Sequence, residues 1–347
     1  MSRTRLRYFA AAASLLMLIS MLAACGATSS AGSTSTKKFK VGLVTDIGGL
    51  NDRGFNHLAD VGLEKAKTDL GIQGDVKESK SGDDYVPNLQ GFASQGYDLV
   101  IAVGFLMAQS VGTVAANFPN TKFAIIDATP SDAKGNTLPE TNVSSLLFKE
   151  QEAGALVGVI AGMYEKSGQD PKKSHNISAV GGIKIPPVDH YIAGYQWAAA
   201  MEDPAIKVQV GYSNDFADPA KCKAVANSQI AAGSDIVFQV AGGCGLGALQ
   251  AAGEKGVWSI GVDTDQTSSD KSVIASAMKR VDTATFTAIQ SVVNGTFKGG
   301  VTSFSLSNGG VDFAPGNVTL PADISAEVEK VRSGIKAGTL TVPDVVK

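Results

Sequence analysis

Cysteine and histidine are scarce, with three of each in 347 residues. None of His57, His175 and His190 lies at ligand spacing from a cysteine, so a zinc-type centre lacks its ligand set. The same shortage, together with the absence of a G-x-S-x-G elbow, removes the usual serine hydrolase. Excess positive charge is missing too. Lys and Arg number 30 against 33 Asp and Glu, a net charge of -3, so composition gives no support to a nucleic-acid partner. Past the first 25 residues, no apolar run approaches the ~20 residues of a membrane span. What is present is 44% hydrophobic residues and 39 glycines, in a chain long enough for two domains with their own cores.

The exception at the N-terminus is informative. Arg3, Arg5 and Arg7 precede the apolar stretch "FAAAASLLMLISMLAA", which ends in Leu22-Ala23-Ala24-Cys25-Gly26. This resembles a bacterial lipoprotein signal: residues 1–24 are removed and Cys25 is lipidated. A plain signal peptide with an incidental cysteine is the alternative. Residues 25–37, rich in Ser, Thr and Gly, read as a flexible tether. The body is therefore expected outside the cell, lipid-anchored to the outer face of the cell membrane. Export favours pairing of Cys222 with Cys244, two buried free thiols being the other possibility.

From residue 38, short Val/Ile-rich strands alternate with helical patterns. One series has strands at 39–46, 97–104, 121–128 and 141–148; a second has them at 176–183, 206–213, 234–243 and 257–265. Such alternation predicts an α/β fold of parallel sheets covered on both faces. Asp46, Gly104, Asp127, Gly182, Asn214, Gly242 and Asp263 gather at strand C-terminal ends, where open α/β sheets bind ligands. The expected lobes are discontinuous: 38–146 plus about 266–300, and 147–265 plus about 301–347.

Read in order, "VGLVTDIGGLNDRGFN", "YDLVIAVGF", "FAIIDA", "LLFKEQEAGALVGVIAG", "SAVGGIKIPPVDHYIAGY", "DFADPAKCKAVA", "GSDIVFQVAGGCGLGALQAA" and "SIGVDTDQ…IASAMKRVD" resemble the basic membrane protein family of solute-binding lipoproteins. The match spans roughly residues 38–310. The resemblance implies a type I periplasmic-binding-protein fold, two Rossmann-like lobes joined by three crossings. It also implies a nucleoside ligand, a purine one in the first instance, and an ABC-transporter permease as partner. No cofactor, no catalysis and a monomer are expected.

A nucleoside offers a flat base and vicinal hydroxyls without a phosphate. Stacking a base on an aromatic ring is worth about 1–3 kcal/mol, against the ~8 kcal/mol of a micromolar complex. Phe55 and Phe216 are the candidates for that sandwich. Asp263 can accept from both ribose hydroxyls. The family pattern assigns Lys279 and Asp127 to the same network, and Gly242 and Gly243 to close backbone approach. In the opening turn, Asp46, Asn51, Asp52 and Asn56 can read a base edge, while Asp46 can instead serve as a structural cap or turn residue and Asn51 and Asp52 can equally cap a helix. This sequence departs from the family in placing Cys244 in the glycine turn. If it pairs with Cys222, the bond ties that turn to the preceding helix beside the cleft.

A dinucleotide-binding enzyme is disfavoured, because "GGCGLG" lacks G-x-G-x-x-G spacing. A same-fold binder of a sugar or signalling molecule, or a sensor without an importer, stays open.

Overall fold

Apolar runs of five to seven residues become buried strands, and the segments between them become the helices that cover both faces. The computed structural model describes residues 38–347 apart from positions 140, 170 and 173. Signal removal and lipidation of Cys25 therefore lie outside the described residues.

The first sheet contains β1 (Lys40–Thr45), β2 (Gln73–Lys77), β3 (Leu99–Val103), β4 (Lys122–Ile126) and β5 (Val143–Phe148). They run in the order β5-β4-β3-β1-β2, all parallel. β3 is buried at every position, as expected of a central strand covered on both sides. The second sheet holds β6 (Asn176–Gly181), β7 (Lys207–Tyr212), β8 (Ile236–Val240), β9 (Trp258–Asp263) and β10 (Val273–Lys279), in the order β10-β9-β8-β6-β7. Each sheet then receives one late strand: β11 (Gly300–Phe304) parallel to β5, and β12 (Val311–Pro315) antiparallel to β10.

Two boundary expectations need correction. β10, assigned by sequence to the first lobe, pairs with β9 in the second sheet. β11, assigned to the second lobe, extends the first sheet through Gly300–Phe304 beside Ser144–Phe148. Pairing partners decided both cases, since each strand fits an edge its apolar pattern alone does not name.

The chain crosses between lobes three times. One crossing joins β5 to α4 (Glu150–Ser167), another joins β10 to α8 (Val281–Val293), and the third joins β11 to β12. They are stitched together: Lys149 N–H donates to the Phe304 carbonyl at 2.9 Å, and Arg280 N–H donates to the Gly310 carbonyl at 2.9 Å. Phe148 stacks on Phe304 with ring centroids 4.8 Å apart.

Helix α1 (Phe55–Leu70) buries Ala59, Gly62, Leu63 and Ala66, the i, i+3, i+4, i+7 stripe of an amphipathic helix. Gly62 is needed for close packing, because a Cβ there would lie 2.4 Å from the Asp282 carbonyl in the first turn of α8. That contact holds α8 on the first lobe. In the second lobe, α4 meets α5 (Pro186–Glu202) through glycines at every fourth position. A Cβ at Gly154 would come within 2.1 Å of the Tyr191 carbonyl, and one at Gly158 within 2.5 Å of the Tyr195 carbonyl. Backbones in contact along this stripe fix the height of α5, and with it the position of Tyr191.

Candidate ligand cleft

In each sheet the strand order reverses once, beside β1 in the first and beside β6 in the second. A ligand in such a sheet lies outside the strand C-termini at that reversal. Here the two reversals face each other across a cleft enclosing about 550 Å³ of empty space, part of it open to solvent.

The first lobe presents the turn after β1. Asp46 is buried, and its Oδ1 accepts from Asn56 Nδ2 at 2.8 Å and from Gly48 N–H at 2.8 Å. Asp52 is equally buried. Its Oδ1 accepts from the N–H groups of Gly54 and His57, and its Oδ2 from Asn56 N–H at 2.7 Å and Asn56 Nδ2 at 3.1 Å. Asp52 thus satisfies the free N–H groups at the start of α1, and Asn56 is held between two carboxylates. Phe55, half-buried at the first position of α1, faces the cleft. Across from it, Gly104 has φ 122°, and a Cβ there would lie 2.9 Å from Asp46 Oδ2 and 3.4 Å from the Phe55 ring. A bare backbone at that point keeps the Phe55 face open.

The second lobe presents Phe216 from the turn between β7 and α6 (Pro219–Ala231). Its carbonyl accepts from Cys244 N–H at 2.9 Å, in the first turn of α7 (Gly242–Lys255). Its ring presses on Gly182, where a Cβ would sit 2.3 Å away. Cys222 of α6 and Cys244 of α7 are disulfide-bonded, with Cα atoms 5.5 Å apart. The turn carrying Phe216 is therefore held at both flanks.

At the floor, Lys279 ends β10 and is 1% exposed. Its Nζ donates to Asp127 Oδ2 at 2.6 Å and to Glu150 Oε1 at 2.8 Å. It also lies 5.0 Å from the Phe55 ring centroid and 4.8 Å from that of Phe148. Glu150 Oε2 in turn meets His190 Nδ1 at 3.0 Å. Tyr191 donates its hydroxyl to Asp263 Oδ1 at 3.2 Å. Asp127 and Asp263 both adopt left-handed backbone, with φ 69° and 65°. Strain of this kind, about 1–3 kcal/mol per residue, collects where a site demands it.

One ammonium serves three carboxylates. Burial alone would lower Lys279, but Asp127, Glu150 and Asp263 outweigh it and keep the amine charged. Burial pushes Asp127 up, Lys279 opposing it and the Glu150 charge adding to it. Burial likewise pushes Asp263 up to about 6, and Asp46 up to about 6. Glu150 is instead held below the usual range: burial would raise it, but Lys279 and His190 prevail. Asp127 Oδ1 is buried with no hydrogen-bond partner among the described residues. A buried carboxylate oxygen left alone costs about 1–3 kcal/mol or more, in line with the upward push that burial gives Asp127.

Of the residues singled out by sequence, Asp46, Asp52, Phe55, Asn56 and Asp127 line the cleft from the first lobe. Phe216, Gly242, Asp263 and Lys279 line it from the second. Two do not. Asn51 is exposed in the turn before α1, so it neither caps the helix nor reaches the cleft. Gly243 is buried and does not line the cleft: it faces the opposite lobe directly, where a Cβ would lie 3.5 Å from Asp52 Cα. Sequence reasoning missed Tyr191 and Glu150. The i, i+4 glycines of α4 were the available signal for Tyr191. Glu150 looked like an ordinary acidic residue in a first helical turn. Among the described residues, no group of three or more His, Cys, Asp or Glu is placed to hold a metal ion. No described helix is long and apolar enough to cross a membrane.

Two doubly wound lobes with strand reversals facing across a cleft define a solute-binding protein of type I fold. Residues 39–345 match the Bmp family, described as ABC transporter substrate-binding protein PnrA-like, and the chain belongs to that family. It is similar to the ABC transporter nucleoside-binding protein BmpA of Lactococcus lactis, at 31% identity over 97% of this chain and 99% of that one. It is 34% identical to an uncharacterized lipoprotein of Pyrococcus abyssi, over 86% of this chain and 74% of that one. A crystal structure of an ABC transporter system solute-binding protein from Aeropyrum pernix superposes with a TM-score of 0.79 at 28% identity, covering 88% of this chain and 94% of the other. Fold and family are those of solute-binding proteins, not enzymes.

Proposed function

We propose that the cleft captures a nucleoside, purine nucleosides foremost, and that the closed protein delivers it to an ABC-transporter permease. The observation that carries this reading is the lining of one cleft by Phe55 and Phe216 from opposite lobes together with Asp127 and Asp263, Asp127 Oδ1 having no partner among the described residues. A ligand that satisfies it donates hydroxyls near the carboxylates and offers a flat face to Phe55 and Phe216. Asp46, Asp127 and Asp263 against the single ammonium of Lys279 favour a neutral ligand over a phosphorylated one. The name of the Lactococcus relative points the same way. Cys25 is the proposed lipid anchor, in keeping with a relative named as a lipoprotein, and the protein acts as a monomer.

The mechanism makes and breaks no covalent bond. Ligand contacts with both lobes favour the closed arrangement. The test is thermal unfolding of the mature body with nucleosides, nucleoside monophosphates, free bases and pentoses. A ligand at 100 times its Kd adds about 2.7 kcal/mol. Nucleosides are expected to raise the Tm and monophosphates to leave it unchanged. A shift with a pentose and with no nucleoside would overturn the reading.

A further inference from the structure

Behind the cleft floor runs a chain of buried side-chain amides that ends in the opposite lobe. Gln239 is buried in β8, and its Oε1 accepts from Ala241 N–H at 3.1 Å. That leaves its Nε2 as the donor to Gln266 Oε1, at 2.6 Å. Gln266 Oε1 also accepts from Val262 N–H at 3.1 Å. With its oxygen held by two donors, the Gln266 amide has one possible orientation, and its Nε2 points to the Arg53 carbonyl at 3.4 Å. Ala241 and Val262 line the cleft, while Arg53 belongs to the first lobe's turn. Gln266 is 2% exposed, whereas Arg53 lies at the exposed edge of its turn, so the contact is half-buried.

The surroundings make the contact specific to closed lobes. Arg53 is left-handed, with φ 51°, and turns the chain into Gly54. A Cβ at Gly54 would lie 3.5 Å from Asp263 Oδ2, so this corner of the first lobe is pressed onto the end of β9. When the lobes separate, Arg53 leaves with its turn, whereas both donors to Gln266 Oε1 stay in the second lobe.

We propose that Gln266 is a closure latch: its amide, aimed from the cleft floor by Val262 and Gln239, donates to the Arg53 carbonyl across the lobes and holds the protein shut over its ligand. It is a positioning residue, touching no ligand itself. Because the bond exists only while the lobes are together, it slows their opening, the step through which a bound ligand leaves. One such hydrogen bond corresponds to a slowing of release by about two- to tenfold.

The proposal rests on the cleft being the nucleoside site, and the test separates the two. Gln266→Glu keeps an oxygen for Val262 and Gln239 but sets a second oxygen against the Arg53 carbonyl; Gln266→Met removes the donor without adding charge, and with it the acceptor of Val262 N–H and Gln239 Nε2. With guanosine as probe, stopped-flow binding to either variant should show faster dissociation, about two- to tenfold for Met and more for Glu. The association rate should stay within about twofold of wild type. Small-angle scattering of the ligand-free proteins supplies a readout independent of any ligand: the Glu variant should populate more open molecules and have a larger radius of gyration. Unchanged dissociation with only a lower Tm would overturn the latch and leave a structural role. If wild type binds no guanosine, the nucleoside reading fails and the scattering comparison alone decides the latch, identical radii overturning it.

Discussion

Lys279 and Asp127 belong to different sheets, and their side chains meet at 2.6 Å with almost no access to water. Lys279 also meets Glu150, at the start of another interlobe crossing, so one buried ammonium ties two crossings to the cleft floor. Removing it strands Asp127 in a dry site and leaves Glu150 with His190 alone, a loss of the kind that typically costs about 3–5 kcal/mol. Lys279→Met is therefore expected to lose about that much in urea unfolding and to lose ligand binding. Adding Asp127→Asn to it removes one stranded charge, so the double variant should regain part of the loss. A double variant less stable than the single one would contradict this account.

Phe55 and Asn51 lie within one turn of each other but differ in what they touch. Phe55 lines the cleft under the open Gly104 backbone, and on the proposed function its loss removes a stacking face worth about 1–3 kcal/mol. Phe55→Ala should weaken binding more than about tenfold by calorimetry. Asn51→Ala should change neither affinity nor stability, because the side chain is exposed and outside the cleft. Equal effects of the two substitutions would mean that the turn, not the ring, is what the ligand needs.

The difference between those neighbours shows where sequence was legible. Strand cores such as "LVIAV" declare themselves by composition, and so do the two series they form. Asp46, Asp127 and Asp263 stood out because each is a carboxylate ending an apolar run, and all three line the cleft, Asp46 also holding its own turn through Gly48 N–H and Asn56 Nδ2. What periodicity does not carry is pairing: β10 and β11 cross the hinge in opposite senses, and nothing local distinguishes their edges. Glu150 was illegible for the same reason, since its partner Lys279 arrives 129 residues later. Asn51 and Asp52 looked interchangeable as caps. Only the fold shows that Asp52 points inward and Asn51 outward.

Buried carboxylates give stability and binding opposite responses to pH. Asp46 is pushed up to about 6 from an ordinary 3.8. A carboxyl raised in the folded state binds its proton more tightly there, so its contribution is full below the unfolded pKa and is lost as pH rises through about 6. Asp46→Asn keeps an oxygen for Gly48 N–H and Asn56 Nδ2 but cannot ionise. Its stability relative to wild type should therefore improve by about 2–3 kcal/mol between pH 4 and pH 7, read by urea unfolding. Guanosine affinity of the wild type should rise over the same interval, because Asp263 accepts hydroxyls best as a carboxylate. Parallel trends in stability and affinity would refute the assignment.

The disulfide is the last element whose removal separates folding from binding. Cys222 and Cys244 close a loop of 22 residues, for which chain entropy gives about 3 kcal/mol of stabilisation. The same bond fixes α7 against α6, and α7 holds the Phe216 carbonyl through Cys244 N–H. A Cβ at Gly247 would lie 1.9 Å from the Pro219 carbonyl, so the two helices stay in backbone contact without the bridge. Cys222→Ser with Cys244→Ser should accordingly fold, lose about 3 kcal/mol in urea unfolding, and bind guanosine several-fold more weakly as the Phe216 turn loosens. Adding a reductant to the wild type should reproduce both changes. If stability falls while affinity stays at the wild-type value, the helix contact alone positions Phe216 and the bridge serves only the fold.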